Sequence, residues 1–536
     1  MIARKSLLIL ISTSIICLFG ILEAVLIAKL WGDFADDALG IIAFSLSFIG
    51  LFNIVANLGF RSAHVKRVSE GKDLATCIGT FLSVKIILTS LMILIAIISI
   101  FIIKIVTQDG FFQSTSEPIL YIFLINSIFT NMIAVPLATF TAKREIVKRE
   151  FPFIIGKIIT IPCILLVTTA GINSEGISSP FVWPNFLQPL QQFIANNPVV
   201  SLGFVYLISS ITTLCIVMWF FRKYPIKKPE WKMFKSYVKF AVPILIIPII
   251  VTVTSSTDKL MIGFYWSSSE IGLYTAMAGI TTLVTIFPNS LYIVLFPTLS
   301  EFSSNKNYDE IKEKFRLAER YNLMIVIPFI VAFIVLANPF IVIFLSDVFL
   351  QAASVLVILS IYILIWCMHV PYWALFTGTD RPGILSKIMI IIAVLNIILN
   401  FMFIPENGLL SSYGINGAAG GALSTMLAAS VGLFSLRFVT KRLIGIKLFR
   451  LFTLRQLIAG LVMGAVLYFL INFVSFFKIA DLLNFIILIS LGAATYLGML
   501  YLLKEFRKED FDFFLDLIRP KKMAKYIKSE LEDKPK

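Results

Sequence analysis

The feature that most constrains this 536-residue chain is a series of apolar runs, each about 20 residues long, that recurs from one end to the other. As an α-helix, a run of this length crosses about 30 Å of hydrocarbon. The chain is 58% apolar, above the roughly 45–50% that is usual for soluble domains. The sequence therefore predicts an all-α polytopic membrane protein.

About fourteen transmembrane helices are predicted. The first run continues past Ala28 and contains Glu23, which indicates a retained span and not a cleaved signal. The predicted spans are residues 6–31, 38–60, 74–106, 119–141, 151–171, 199–221, 240–265, 271–297, 321–345, 350–377, 384–405, 414–438, 456–477 and 482–503.

The charge of the loops predicts the orientation of the spans. Basic clusters occur at Arg61–Lys72, Lys143–Arg149, Arg222–Lys239, Lys306–Arg320 and Lys441–Arg455. The alternate loops 32–37, 107–118, 172–198, 266–270, 346–349 and 406–413 contain no Lys or Arg. The positive-inside rule then predicts a cell-membrane protein with both termini cytoplasmic. The net charge of +15 is explained by this topology, and no nucleic-acid partner is predicted.

Short patterns indicate that the chain is doubled. Lys29-Leu30 and Lys259-Leu260 each close a span, and Gly40 and Gly272 follow them at nearly the same offset. An even number of spans in each repeat relates the halves by an axis along the membrane normal. The predicted units are a six-helix lobe at 1–221, a cytoplasmic interfacial linker at 222–239, a six-helix lobe at 240–438, two additional helices at 456–503 and a cytoplasmic tail at 504–536.

Ionisable residues within the spans are mostly basic. The basic ones are Lys29, Lys85, Lys104, Lys157, Lys259, Lys387 and Arg437, and the acidic ones are Glu23 and Asp258. A charged group at the centre of a bilayer costs about 2.5–3.5 kcal/mol even on the lenient insertion scale, so such groups are rare unless they are used. The excess of positive charge predicts a negatively charged passenger.

Individual charges are weighed against simpler structural roles. Lys85 is the leading substrate-path candidate, because eighteen uncharged residues separate it from Lys104. Lys157 and Lys29 are further candidates, with snorkelling to the membrane surface as the alternative. Lys259 and the adjacent Asp258 can both face a cavity, or either can pair with another helix.

Two kinds of polar residue complete the candidate site. Glu23, well inside the first span, is a proton- or sodium-coupling site, the partner of a lysine, or a residue that contributes little. The amides of Asn53, Asn57 and Asn400 could line a polar path for sugar, and the alternative is hydrogen bonding between helices. No cofactor and no metal site is predicted.

A series of short motifs runs in order through the second half. They are Thr257-Asp258-Lys259-Leu260-Met261-Ile262-Gly263, Gly272-Leu273-Tyr274-Thr275-Ala276, Phe296-Pro297-Thr298-Leu299-Ser300, Arg320-Tyr321, Asn396-Ile397-Ile398-Leu399-Asn400, Ile404-Pro405 and Gly414-Ile415-Asn416-Gly417-Ala418-Ala419. In these motifs the chain resembles the polysaccharide-export proteins of the multidrug/oligosaccharidyl-lipid/polysaccharide (MOP) exporter superfamily, the Wzx-type flippases. The first half resembles them only in outline.

The resemblance implies a MATE-like fold, with two six-helix lobes around a cavity that opens to one side at a time. It implies a flippase that moves a polyprenyl-phosphate- or diphosphate-linked oligosaccharide from the inner to the outer leaflet for cell-surface polysaccharide or glycan assembly. The expected partners are this glycolipid, membrane lipid and other polysaccharide-assembly membrane proteins. The last two helices are expected to help form a groove for the lipid tail.

Two other functions stay open from the sequence. A MATE-like multidrug or cation exporter would need acids in its cavity, and Glu23 keeps that function open. A membrane glycan polymerase or glycosyltransferase would need acid–base residues on the outer side. The long outer loop 172–198 contains Glu175 and no Asp, His, Lys or Arg, so the chain is predicted not to be an enzyme. This loop is longer than the resemblance leads us to expect, and the sequence assigns it no role.

Overall fold

The computed structural model describes residues 2–106, 116–445, 451–474, 481–506 and 510. Across these ranges the chain forms α-helices joined by short loops and 3-10 turns. Within the same ranges, the only β-type pairing is an isolated bridge between Ile172 and Ile177. The prediction of an all-α protein is confirmed.

The first half is a bundle of long helices together with two short ones. The helices are α1 (Ile2–Trp31), α2 (Ala35–Asn57), α3 (Phe60–Ser69), α4 (Leu74–Val106), α5 (Ser116–Ala142), α6 (Ile146–Thr168), α7 (Gln188–Asn196) and α8 (Pro198–Phe221). Helices α1 and α5 both pack on α6, and α8 packs on α5 and α6. The segment that joins the halves contains α9 (Trp231–Ile244), which packs on α3 and α4.

The second half has a comparable order of helices. They are α10 (Ile246–Tyr265), α11 (Ser268–Thr282), α12 (Ile286–Ser304), α13 (Tyr308–Val335), α14 (Ala337–Phe344), α15 (Ala353–Gly378), α16 (Pro382–Phe403) and α17 (Gly417–Ile444). The chain continues with α18 (Leu451–Val474) and α19 (Asp481–Leu502), which pack on each other and on α13. The boundaries of the predicted lobes, linker and tail stay predictions, and most of the tail at 504–536 lies outside the described residues.

Twelve segments within the described residues are long and apolar enough to cross a membrane. The fourteen predicted spans fall largely on helices, but the first two share one segment, Ile11–Asn57, and the span at 240–265 is not among the twelve. A multi-pass membrane protein is confirmed, whereas the count of fourteen stays a prediction. We call the end that carries the α1–α2 turn the outer end, following the predicted orientation.

The two halves touch closely at the outer end, where α2 crosses α11. A Cβ atom on Gly40 would lie 1.7 Å from the carbonyl oxygen of Ser268, and one on Gly272 would lie 1.8 Å from that of Asp36. The contact is reciprocal: each glycine meets the first turn of the other helix. Only glycine permits such an approach of two backbones.

Side chains reinforce this crossing. The Ser268 hydroxyl donates to Asp37 Oδ1 at 2.6 Å, and the Ser269 hydroxyl donates to a carboxylate oxygen of Asp36. All of these groups lie in the first turns of α2 and α11. The outer ends of the two halves are therefore held together in this conformation.

At the opposite end of the first half, a buried histidine connects α3, α5 and α9. His64 on α3 is fully buried, and its ring nitrogens lie 3.0 Å from Tyr237 Oη and 2.9 Å from Thr139 Oγ1. Its ring also stacks on Phe81. Burial lowers the pKa of His64 from its usual 6.5 to about 4, so the ring is neutral near neutral pH.

Candidate functional site

The predicted substrate-path lysine Lys85 is buried within the first half. Its ammonium group donates to the backbone oxygen of Ala56 at 2.8 Å, to Asn57 Oδ1 at 2.8 Å and to Asn131 Oδ1 at 3.0 Å. The side chain is 0% exposed. The three acceptors satisfy the three ammonium hydrogens, and all three are neutral.

The surroundings of Lys85 explain how a buried cation is held. The backbone oxygen of Ala56 belongs to the last turn of α2, and the C-terminal end of a helix carries partial negative charge. The Asn131 amide donates in turn to Asn53 Oδ1 at 2.9 Å, so the asparagines form a connected chain. The ammonium group is therefore held by the dipoles of carbonyl and amide groups. No carboxylate is among its direct contacts.

A second buried charge, of opposite sign, lies in the second half. Asp258 on α10 is 4% exposed. One carboxylate oxygen accepts from the amides of Asn396 at 3.0 Å and Asn400 at 2.7 Å. The other accepts from Tyr274 Oη at 2.7 Å and Thr425 Oγ1 at 2.5 Å. Four neutral donors from α11, α16 and α17 thus surround this carboxylate.

Glu23 and Lys157 form an ion pair between α1 and α6. The ammonium nitrogen lies 2.8 Å and 2.7 Å from the two carboxylate oxygens. The side chain of Glu23 is 5% exposed and that of Lys157 is 25% exposed. The geometry is that of the lysine-partner alternative for Glu23.

The other two lysines of the predicted substrate path, Lys29 and Lys259, lie apart from these groups. Lys29 is exposed and donates to the backbone oxygen of Val342 at 2.6 Å, which links α1 to α14. Lys259 is half-buried, and it donates no hydrogen bond to the residues that the structure describes. Although it follows Asp258 in the chain, the two side chains are not paired.

The predicted site residues therefore gather in separate groups. Lys85 joins Asn53 and Asn57, Asp258 joins Asn400, and Glu23 joins Lys157. Sequence reasoning missed Tyr274 and Thr425 as partners of Asp258. Tyr274 lies in a motif that carried the resemblance, but nothing in the sequence places it beside a carboxylate. The roles of all these residues in transport stay predictions.

An apolar groove of 530 Å³ lies between α13, α14 and α19. Its walls are almost entirely hydrocarbon and aromatic side chains, among them Pro328, Phe329, Phe333, Phe340, Phe485 and Leu497. At one end Phe506 lines the groove. The preceding residue, Glu505, accepts from Arg320 at 2.7 Å, so an ion pair fixes this end.

Comparisons with known proteins agree with this architecture. Residues 192–354 match a family described as "Polysaccharide biosynthesis protein". The chain is 24% identical over 492 residues to the "Probable low-salt glycan biosynthesis flippase Agl15" of Haloferax volcanii, and the match covers 91% of this chain and 93% of the relative. A shorter match, 26% identical, covers 33% of this chain and 35% of the "Probable flippase AglR" of the same organism.

Solved structures show the same fold. The lipid II flippase MurJ, in an inward closed conformation, superposes with a TM-score of 0.69 at 20% identity, covering 95% of this chain and 99% of MurJ. An inward-facing MATE multidrug transporter of the MOP superfamily superposes with a TM-score of 0.57 at 14% identity, covering 82% of this chain and 98% of the transporter.

The resemblance to the MOP exporters is confirmed. The MATE-like arrangement of the helices is likewise confirmed. The relatives named above are described as probable flippases and the solved structures as a flippase and a transporter, which agrees with the prediction that the chain is not an enzyme.

Proposed function

We propose that this chain is a flippase that moves a polyprenyl-phosphate- or diphosphate-linked oligosaccharide from the inner to the outer leaflet. The product would serve cell-surface polysaccharide or glycan assembly. The full-length similarity to a probable glycan biosynthesis flippase supports this passenger. The expected partners are the glycolipid, the surrounding lipid and other polysaccharide-assembly membrane proteins.

The observation that carries the proposal is the buried ammonium group of Lys85, which contacts only neutral oxygens. A buried charge without a counter-charge costs several kcal/mol and is rarely kept without a use. Asn57 is exposed, so a phosphate oxygen can replace its side-chain oxygen with little loss. The attraction between ammonium and phosphate is strong where water is scarce.

The lipid tail needs an apolar path. The groove between α13, α14 and α19 presents a hydrocarbon wall of matching chemistry and supports a prenyl carrier. The tail can stay in this groove or in the bilayer while the sugars cross. The sugars require polar surroundings throughout, because an unpaired hydroxyl in hydrocarbon costs several kcal/mol.

Alternating access would follow from the reciprocal crossing of α2 and α11. With this contact made, the outer ends are closed and the glycolipid enters from the inner side. Breaking it, with closure on the inner side, would release the passenger outward. The passenger drives the exchange only to the extent that it binds the two states unequally.

The buried carboxylate of Asp258 favours a second candidate, a cation exporter. One experiment separates the two. The gene is deleted, and lipid-linked oligosaccharides are analysed in vesicles of known sidedness. Accumulation of glycolipid on the inner leaflet, with loss of surface glycan, is the expected result. Normal sidedness with hypersensitivity to cationic dyes would favour the exporter and overturn the proposal.

A further inference from the structure

The loop between α6 and α8 has a defined structure, and the flippase mechanism above gives it no role. It contains the bridge between Ile172 and Ile177, a 3-10 turn at Asn185–Leu187 and helix α7. Ile172 and Ile194 belong to a buried hydrophobic cluster that contains residues of both halves. The loop leaves α6 and enters α8 at the predicted outer end, so it lies at the outer surface of the bilayer.

A polar cavity of 360 Å³ opens in this loop. Its volume lies in the lower part of the range of small-ligand sites, about 300–1,000 Å³. Its polar lining consists of amides and hydroxyls, contributed by Asn173, Ser178, Ser179, Gln188, Gln191 and Gln192. Ala170, Ile177 and Ala195 complete the lining, which carries no ionisable side chain.

Some of these groups hold the walls of the cavity in place. The amide of Asn173 donates to Asn196 Oδ1 at 2.7 Å, and its backbone N–H donates to the carbonyl oxygen of Ala195 at 3.0 Å. The Ser179 hydroxyl donates to the carbonyl oxygen of Thr169 at 2.7 Å. These hydrogen bonds join the turn around the Ile172–Ile177 bridge to the end of α6 and to α7. The protein itself therefore fixes the walls of the cavity.

Other groups remain open to a ligand. The side chains of Gln192 and Ser178 make no hydrogen bond to the residues that the structure describes, and both are exposed. Gln188 donates one amide hydrogen to Asn185 Oδ1 at 3.1 Å, which leaves its carbonyl oxygen free to accept. The cavity thus offers both donors and acceptors at fixed positions.

This chemistry selects the class of ligand. Amides and hydroxyls both donate and accept, which matches a ring of hydroxyl groups. A phosphate, carboxylate or ammonium ion would lose hydration against a neutral wall and would gain no counter-charge. The absence of Lys and Arg from the whole loop 172–198 is consistent with an uncharged ligand.

We infer that this cavity is a binding site for an uncharged sugar residue. The source of the sugar rests on the proposed function: the glycan delivered to the outer leaflet would meet this loop next to its point of release. The site would then retain the glycan on the outer side and oppose its return. The inference itself requires only that a neutral sugar binds there.

Binding is tested with the purified full-length protein in lipid nanodiscs by saturation-transfer NMR and calorimetry. The probes are methyl glycosides of glucose, mannose, galactose and N-acetylglucosamine, with methyl glucuronide as the anionic comparison. At least one neutral probe is expected to bind, and the double variant Gln188→Ala/Gln192→Ala is expected to weaken it about tenfold. Ser174→Ala, at an exposed position of the same loop outside the cavity lining, is the matched control and should bind as the wild type does.

Three results would overturn the site: no neutral probe binds, the double variant binds as well as the wild type, or glucuronide binds as tightly as the neutral probes. The assay involves no translocation, so a negative result leaves the flippase proposal standing. Conversely, normal glycolipid sidedness in the deletion strain would remove the proposed source of the sugar without changing the binding result.

Discussion

Lys85 and Asp258 hold opposite charges in comparable ways, each surrounded by neutral hydrogen-bonding groups in one half of the chain. A charge buried in this way keeps much of its field, because no counter-ion cancels it nearby. Glu23 and Lys157 differ, since they cancel each other at 2.7 Å. Among these buried side chains, Lys85 is therefore the cation best placed to attract a phosphate.

Replacing Lys85 by Met should separate transport from stability. The variant loses a charge-assisted interaction worth about 1.5–3 kcal/mol with the passenger, so glycolipid translocation should fall about 10- to 100-fold. Removing a desolvated charge offsets the loss of its hydrogen bonds, and the unfolding temperature should change little.

The control for Lys85→Met is Lys104→Met on the same helix. Lys104 forms an exposed ion pair with Glu117 at 3.0 Å, and such pairs contribute about 0–1 kcal/mol. Both variants are compared at equal protein level. Undiminished export in Lys85→Met would show that this ammonium group does not bind the passenger.

The ion pair of Glu23 and Lys157 should give a coupled double-mutant cycle. Lys157→Met leaves the more buried carboxylate unpaired, so it should destabilise more than Glu23→Gln, which leaves a partly exposed ammonium able to reach solvent. The double variant should recover about 1–3 kcal/mol relative to the sum of the single effects, as measured by thermal unfolding. Strictly additive effects would mean that the pair contributes nothing to stability.

At the scale of helices, glycine determines how the two halves meet. Gly40 and Gly272 were predicted as equivalent positions of a repeat from their offset in sequence. The offset indicated equivalence but not contact, because a repeat does not specify how its copies face each other. The same limit applies to Asp258: its spacing placed it in a span, but its partner Thr425 is 167 residues away.

Gly40→Ala should weaken the outer contact of α2 and α11, since its Cβ atom would lie 1.7 Å from a backbone oxygen. The measurement is disulfide crosslinking between cysteines at positions 37 and 268 after the native cysteines are replaced, and the yield should fall well below that of the unaltered helix pair. The control is Gly279→Ala on α11, where a Cβ atom meets no atom within 4 Å. Equal yields in both variants would contradict a glycine-dependent closure.

His64 should make the junction of α3, α5 and α9 sensitive to acid. Its pKa is about 4 in the folded protein and about 6.5 when unfolded, so the unfolded chain binds the proton more readily. Its contribution to stability is complete above about pH 6.5 and is lost as the pH falls towards 4, by at most about 3 kcal/mol. Between these pH values, the unfolding temperature should depend less steeply on pH in His64→Asn than in the wild type. An identical dependence in both proteins would contradict the assignment.

For the whole molecule, the sequence predicted the all-α membrane fold, but it did not predict which of the candidate site residues lie together. Hydropathy and loop charge are properties of about 20 neighbouring residues taken together, and the sequence displays them directly. For this reason the predicted apolar runs fall on helices. The pairing of Glu23 with Lys157 depends on which of several helices pack together, and no local pattern encodes that. The loop 172–198 was assigned no role, because its fold depends on contacts between residues far apart in the chain, such as the hydrogen bond between Asn173 and Asn196, 23 residues apart.

The central claim is that this chain carries an anionic glycolipid across the bilayer, and translocation in a reconstituted system tests it most directly. Purified protein is reconstituted into vesicles that contain a polyprenyl-diphosphate or polyprenyl-phosphate oligosaccharide. A glycosidase added outside the vesicles cleaves only the glycolipid of the outer leaflet, and the cleaved fraction is measured. We expect glycolipid of the inner leaflet to become accessible with wild type and Lys104→Met, to become accessible about 10- to 100-fold more slowly with Lys85→Met, and to stay protected in protein-free vesicles. Equal protection in all four preparations would contradict the account.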